Sequence, residues 1–171
     1  AVAPIVGNIT VTPVYENNGV SCTGTAETFS ITVNPSPLVN FSEADQVIVT
    51  GETTTAVDLT SPTTDVTFSW TVSVPTGITG VTTSTGTDNI PAETLINSTT
   101  EPLDVVYTAI ATGDVGFDCE GLPTDYTVTV NPQAQVNPVD NQVVCNDENL
   151  TIEFSTIVTG GTTTFSWTND N

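Results

Sequence analysis

Residues 116–132 read GFDCEGLPTDYTVTVNP, and this stretch decides the fold because the chain contains a second version of it. Residues 19–35, 97 positions earlier, read GVSCTGTAETFSITVNP, with glycines, cysteine, an aromatic residue, alternating aliphatic residues and Asn-Pro in register. A second echo has the same spacing, since Phe-Ser-Trp at 68–70 returns at 165–167. Self-similarity at a fixed period indicates a tandem array of structural repeats.

The period divides the chain into three pieces. A third echo, Asp-Gln-Val at 45–47 against Asn-Gln-Val at 141–143, has nearly the same spacing. Residues 1–35 match the C-terminal part of a repeat, residues 36–132 form one complete repeat, and residues 133–171 match the N-terminal part of the next. Because two or three strands cannot cover their own apolar face, we expect a slice of a longer polypeptide. The alternative is a filament whose subunits complete one another head to tail by strand donation.

The composition predicts an ordered all-β protein. The chain has no Lys, Arg or His and 20 Asp and Glu, which gives a formal net charge of −20. Its mean hydropathy of +0.08 and its abundance of Val, Ile and Thr favour half-buried strands over disorder. Without cations the chain cannot replace the counterions of nucleic acids or bind anionic lipid surfaces. The composition thus predicts an all-β chain, and repulsion between like charges should keep an array of repeats extended.

Turn-rich clusters divide the complete repeat into short segments with alternating polarity. The predicted strands are a broken first strand over Val39–Phe41 and Gln46–Val49, then Thr54–Leu59, Thr67–Val74, Ile78–Thr82, Glu93–Ile96, Leu103–Thr112 and Tyr126–Val130. Such a series of strands is typical of an immunoglobulin-like sandwich. Together with the repeats, it predicts tandem immunoglobulin-like β-sandwich domains in an extended array.

The aromatic residues fit a structural role better than a binding role. Trp70 beside Phe68 could form a platform for sugar stacking, but one Trp on the third strand of such a sandwich is typically its core residue. Pro at 35 and 132 follows each closing strand and fits a domain junction. The predicted core and junction residues are Phe68, Trp70, Tyr107, Tyr126, Val130, Pro35, Pro132, Phe165 and Trp167.

The missing residue types argue against an enzyme. Without His or Lys there is no Ser-His-Asp triad, no Schiff base and no imidazole metal ligand. The carboxylates are scattered through turns, and no calcium-binding loop motif is present. We expect no catalytic, cofactor-binding or metal-binding residues, with weak binding of Ca²⁺ at the surface left open.

The three cysteines are predicted to have partners outside the chain. Cys22 and Cys119 occupy equivalent turns before the closing strand, whereas Cys145 lies in the turn after the first strand, where the complete repeat has Val49. In a sandwich these two kinds of turn lie at opposite poles, beyond the roughly 7 Å between Cα atoms that a disulfide can span. We therefore expect no disulfide within these residues.

Asn-x-Ser/Thr sequons are weak evidence of glycosylation. Four occur, at Asn8, Asn40, Asn97 and Asn149. In a chain rich in Thr and Asn such matches arise easily, so they do not by themselves indicate glycosylation.

Several short sequence motifs resemble those of a known repeat family. They are T-V-T-V-N-P, Gly-x-x-Cys-x-Gly, V-N-P-x-x-x-Q-x-V-C and T-F-S-W-T, within residues 34–40, 46–49, 67–71 and 117–137. They resemble the PKD-like, immunoglobulin-like repeats of very large surface adhesins and gliding-motility-associated proteins of Bacteroidota. The resemblance implies export across the outer membrane, by the type IX system, and display at the cell surface.

We therefore predict a non-catalytic segment of the stalk or filament of a large extracellular repeat adhesin. Its partners would be neighbouring repeats of the same polypeptide or other filament subunits, with neither nucleic acid nor membrane insertion. The alternative is a glycan- or protein-binding module that uses the Gly/Thr-rich stretch 76–89 as a recognition loop.

Overall fold

The β-branched residues of this chain form strands, as their stiff side chains favour. The computed structural model describes residues 3–113 and 119–170, and within these ranges no helix occurs. The strands are β1 Ile5–Val11, β2 Val14–Asn17, β3 Val20–Thr23, β4 Glu27–Val33, β5 Asn40–Phe41, β6 Gln46–Val49, β7 Leu59–Thr60, β8 Val66–Ser73, β9 Ile78–Thr79, β10 Thr85–Gly86, β11 Ile96–Asn97, β12 Leu103–Gly113 and β13 Thr124–Asn131. The predicted all-β class is confirmed, while the tandem array stays a prediction.

The longest strands build the main sheet of the complete repeat. Strands β12 and β13 bury every second side chain, because successive side chains of a strand point to opposite faces. They lie at the centre of a five-stranded sheet with the order β10-β8-β12-β13-β6. Strand β6 runs parallel to β13, with Val47 opposite Thr129, and the other neighbours are antiparallel.

Short pieces of chain form the opposing layer. Strand β5 pairs with β7, β9 pairs with β11, and isolated bridges join Thr53 to Thr94 and Val57 to Ile90. A single apolar cluster lies between the layers. Its buried members are Val39, Ile48, Val57, Leu59, Trp70, Ile78, Ile90, Leu95, Val105, Tyr107, Ala109, Ala111, Tyr126, Val128 and Val130. Among the described residues, all buried core side chains thus come from the complete repeat.

Two of the predicted strands were wrong in detail. Thr54–Leu59 is not a continuous strand, because Thr54 and Val57 are both buried and three positions apart, which the two-residue period of a strand does not allow. The two halves of the broken first strand lie in different sheets, β5 with β7 and β6 with β13. The segment 42–45 is therefore a crossing between layers.

The N-terminal piece is an uncovered ribbon. Strand β1 pairs with β4 and β2 pairs with β3, both antiparallel, and every described residue from 3 to 33 is exposed. Asn18 and Gly19 join β2 to β3 with positive φ angles of 49° and 80°, as a two-residue hairpin turn requires.

The C-terminal piece lacks the strand that its Phe-Ser-Trp sequence predicted. Residues 133–170 include turns and bends but no strand. A strand needs a neighbouring backbone to bond its amide groups, and in the complete repeat β12 provides that backbone for β8. Residues 116–118 of the opening motif lie outside the described residues.

Candidate functional site

Trp70 lies in the core of the complete repeat. It is 3% exposed, and its ring nitrogen donates a hydrogen bond to the backbone oxygen of Asp88 at 2.8 Å. Gly86 lies against the ring so closely that a Cβ atom there would come within 2.5 Å of it. Phe68 is partly buried against the same core. The stretch 76–89 therefore covers the indole, which leaves this Trp unable to stack on a sugar.

Two buried tyrosines continue the aromatic cluster. The rings of Tyr107 and Tyr126 lie 6.2 Å apart, and Trp70 meets Tyr107 edge-on at 5.7 Å. Burial, with smaller contributions from Glu93 and Tyr126, raises the pKa of Tyr107 to about 12. Burial likewise raises the pKa of Tyr126, although a hydrogen bond from Gln46 opposes the shift. Both phenols thus stay uncharged at physiological pH, and both side chains contribute to the packing of the core.

Asn97 organises one pole of the sandwich, a role that the sequence did not reveal. Its Nδ2 donates to the backbone oxygens of Glu101 and Val130 at 2.7 and 2.8 Å. Its Oδ1 accepts from the backbone N–H and the hydroxyl of Thr99, and its own N–H donates to Thr50 Oγ1. Because Asn97 is buried with its amide fully engaged, this sequon cannot accept a glycan in the folded protein.

Thr159 and Gly160 of the C-terminal piece lie against the same pole. The N–H of Thr159 donates to the backbone oxygen of Thr100 at 2.8 Å, and its hydroxyl donates to Glu101 Oε1 at 3.2 Å. Gly160 packs so tightly on Pro102 that a Cβ atom would come within 2.5 Å of the proline ring. These residues form a built junction between the complete repeat and the piece that follows it, and sequence patterns did not predict it.

The predicted junction prolines and Val130 are all buried. Pro35 precedes the complete repeat and Pro132 follows it, and Val130 is fully buried just before the second of these. Neither proline donates a backbone hydrogen bond, so each ends a ladder at a point where the chain leaves a sheet.

The C-terminal piece presents an open apolar groove. Leu150, Ile152, Phe154, Trp167 and Thr168 line a cavity of about 420 Å³. The rings of Phe154 and Phe165 lie 6.0 Å apart, and Phe165 is partly buried. Trp167 is 73% exposed, so the counterpart of Trp70 does not lie in a core here.

One local structure recurs at nearly the repeat spacing. Val49 N–H donates to the side chain of Glu52 at 2.8 Å, and the N–H of Glu52 donates back to the oxygen of Val49 at 3.0 Å. The same two bonds join Cys145 and Glu148, at 3.0 and 3.2 Å. The third residue of each turn, Gly51 and Asp147, has a positive φ angle. The C-terminal piece therefore shares this one turn structure with the complete repeat.

The cysteines are separate from one another in the structure. Cys22 and Cys145 are exposed, and Cys119 is partly buried, each as a free thiol. The sequence placed Cys22 in a turn, which is wrong: it lies within strand β3, opposite Tyr15, whereas Cys119 and Cys145 lie outside the strands. The prediction that their partners lie outside the chain stays a prediction.

The potential metal-ligating side chains are dispersed over the part of the chain that the structure describes. Across residues 3–113 and 119–170, no three His, Cys, Asp or Glu side chains are grouped so that they could hold a metal ion. Nor do these residues include a helix long and apolar enough to cross a membrane.

An open groove of about 570 Å³ is lined by Phe68, Thr87 and Asp88 with their neighbours, next to the stretch considered as a recognition loop.

Comparison with known proteins agrees with this architecture. No curated protein matches the chain. A family model described as PKD-like domain matches residues 48–134, which is half of the chain and most of the complete repeat. The resemblance read from the sequence is thus confirmed at the level of the domain, and the chain belongs to the PKD-like domain family.

Proposed function

We propose that this chain is a non-catalytic structural segment of an extracellular repeat protein, in which PKD-like domains set length and spacing. The observation that carries the proposal is the junction at Thr100–Pro102, where Thr159 and Gly160 of the next repeat pack on the complete one. A surface built for the neighbouring repeat is what a stalk requires, since each unit of such an array contacts only its neighbours.

The charge of the chain supports an extended array. With 20 carboxylates and no Lys or Arg, consecutive repeats repel each other outside their junctions, most strongly at low salt. The same composition leaves no peptide bond that trypsin recognises, which suits a protein exposed to extracellular proteases. The segment needs no cofactor for this role, and its partners are neighbouring repeats or other filament subunits.

The resemblance to adhesin and gliding-motility repeats of Bacteroidota extends the proposal to the cell surface. We propose a large adhesin, exported by the type IX route, as the protein to which this segment contributes length. Its ligand-binding part would lie elsewhere, since Trp70, Tyr107 and Tyr126 of the complete repeat are buried in its core.

Two measurements on cells that make the protein test this role. Proteinase K applied to intact cells should release peptides of this segment, with a periplasmic protein as the protected control. Deleting one full period, residues 36–132, should shorten the stalk by one domain, about 35–40 Å from the length of its strands, and duplicating it should add the same length. Protection from the protease, or a stalk of unchanged length, would contradict the proposal.

A second candidate is a module that binds a glycan or a protein through the stretch 76–89. The specific observation in its favour is the open groove that Thr87 and Asp88 line beside Phe68. Glycan-array binding that is lost in Asp88→Ala and Thr87→Ala, yet kept in Thr83→Ala within the same stretch, would support it. Absence of binding to glycans by the wild-type chain would remove the glycan form of this candidate.

A further inference from the structure

Strand β8 of the complete repeat is paired along its whole length on one side only. Strand β12 pairs with all of it on that side. On the other side β10 pairs with only Trp70 and Thr71, and the N–H of Val72 donates to the oxygen of Ser84 at 3.0 Å. Among the described residues, none pairs with that side of residues 66–69.

The unpaired stretch presents backbone hydrogen-bonding groups. Backbone groups of successive residues in an antiparallel ladder alternate between the two neighbouring strands. Because the N–H of Val72 faces β10, the backbone groups of Trp70, Phe68 and Val66 face the same side. Those of Phe68 and Val66 lie beyond the end of β10 and have no strand to bond in the described part of the chain. Unpaired donors and acceptors at the edge of a sheet are a template for an added strand.

The core draws the neighbouring chain away from this edge. After Gly86, the oxygen of Asp88 accepts a hydrogen bond from the ring nitrogen of Trp70, and Ile90 then bridges to Val57 in the opposing layer. The chain thus leaves the main sheet where β8 continues for four more residues. The open groove of about 570 Å³ lies in this gap, lined by residues 66–69 with Thr87, Asp88 and Thr112.

This edge lies away from both junctions with flanking repeats. The chain enters the complete repeat at Pro37, which lies against Gly121, and the N–H of Gly121 bonds to Ala111 on the side of β12 that faces β13. The junction at Pro102 lies before the start of β12, near Ser73 at the far end of β8. Flanking repeats therefore meet the two poles, and the open edge lies on the flank of the sandwich.

Charge selects the partner that fits this edge. Asp88 lines the groove and Asp65 immediately precedes Val66, and both aspartates are exposed. The chain has no Lys or Arg to pair with them. A second copy bound through the same edge would bring its own aspartates against these, in a chain that also has a net charge of −20. A segment of a different protein that carries Lys or Arg complements the groove.

We propose that an extended, basic segment of a different protein adds to the main sheet as a strand along residues 66–69 of β8. Its backbone bonds to Phe68 and Val66, alternate apolar side chains pack beside the partly buried Phe68, and its Lys or Arg residues lie near Asp65 and Asp88. Four residues of such a strand span about 13 Å. The inference rests on the protein-binding form of the second candidate above and adds a lateral contact to the structural role.

Peptide selection against the 171-residue chain tests the chemistry of the partner. A phage-displayed library of random linear peptides should yield sequences with Lys or Arg among alternating β-branched residues. The selected peptide, made synthetically, should bind Asp88→Lys about tenfold more weakly than the wild-type chain, and salt should weaken its binding to the wild type.

The matched control is Glu43→Lys, which makes the same change of charge on an exposed residue beside β6, at the opposite edge of the main sheet. It should alter the affinity by less than about twofold. A library that yields no binder, selected peptides without basic residues, or equal losses in the two variants would overturn the proposal.

Amide hydrogen exchange shows whether the peptide binds as a strand. On binding, the amide of Phe68 should exchange about tenfold more slowly, whereas the amides of Thr67 and Ser69, which already face β12, should keep their rates. Protection of Phe68 by raising the concentration of the chain alone would identify a second copy as the occupant and overturn the proposal.

N-methylation of the peptide provides a second test of strand addition. Because alternate amides of an added strand face β8, methylating one alternate set should abolish binding and methylating the other set should not. Binding that survives both modifications, or unchanged exchange at Phe68, would overturn strand addition. Either result would leave the proteinase and stalk-length tests of the structural role untouched.

Discussion

Replacing Asn97 by Asp should destabilise the complete repeat strongly although the two side chains have nearly the same shape. An ionised aspartate donates no hydrogen bond, so the backbone oxygens of Glu101 and Val130 lose their donors and face a carboxylate instead. Each buried polar group left without a partner costs about 1–3 kcal/mol. We expect the free energy of unfolding to fall by about 3 kcal/mol in total.

Urea unfolding, followed by the fluorescence of Trp70 in a Trp167→Phe background, measures this loss. With an m-value of about 1.5 kcal/mol per M, the midpoint should fall by about 2 M. The matched control is Asn40→Asp, which adds the same charge to another sequon asparagine that is exposed, and which should change stability by less than about 0.5 kcal/mol. A fall of less than about 0.5 M for Asn97→Asp, or equal falls in both variants, would refute the reasoning.

Three further predictions concern the same repeat. Gly80 and Gly51 both have strongly positive φ angles, but a Cβ atom at Gly80 would lie 2.0 Å from a backbone oxygen and one at Gly51 would meet nothing. Gly80→Ala should therefore cost more than about 3 kcal/mol and Gly51→Ala about 1 kcal/mol by urea unfolding, and equal costs would contradict the clash. Burial raises the pKa of Tyr107 to about 12, so the unfolded state loses this proton first as pH rises above about 10. Stability should fall between about pH 10 and 12 by up to about 1.4 kcal/mol per pH unit, and Tyr107→Phe should lessen that slope; a flat profile would contradict it. Trp70→Phe should cost about 2–3 kcal/mol, and Trp167→Phe less than about 0.5 kcal/mol, relative to the wild-type chain in urea unfolding followed by circular dichroism, which needs neither Trp as a reporter; similar losses would mean that Trp167 is buried.

Alternating patterns predicted the main sheet well. The predicted segment Leu103–Thr112 agrees with β12 to within one residue, and Thr67–Val74 differs from β8 by one residue at each end. These strands pack one face on the core over their whole length, so the two-residue period is visible in the sequence. The opposing layer was predicted poorly because single bridges such as Val57 to Ile90 hold it together, and one bridge leaves no periodic signal.

Of the residues at the candidate site, some could be predicted from the sequence and others could not. Trp70 was recognisable because a bulky aromatic side chain on a long strand has few places other than the core. Asn97 was visible only as one of several sequons, since two of its bonds reach residues 50 and 130, which are distant in sequence. The fit of Gly160 on Pro102 joins residues 58 positions apart, and no local sequence pattern records such a contact.

The two ends of the chain show which parts of a repeat are local and which depend on a partner. The turn at Cys145 forms with the bonds of its counterpart at Val49, because donor and acceptor are three residues apart. The ribbon of β1 and β4 forms without a covering layer, because its ladder is internal. The segment 165–167, whose counterpart depends on β12, remains outside any strand. The bonds that form at the two ends are thus those between residues close in sequence or within one hairpin, whereas a strand that needs a distant neighbour does not form there.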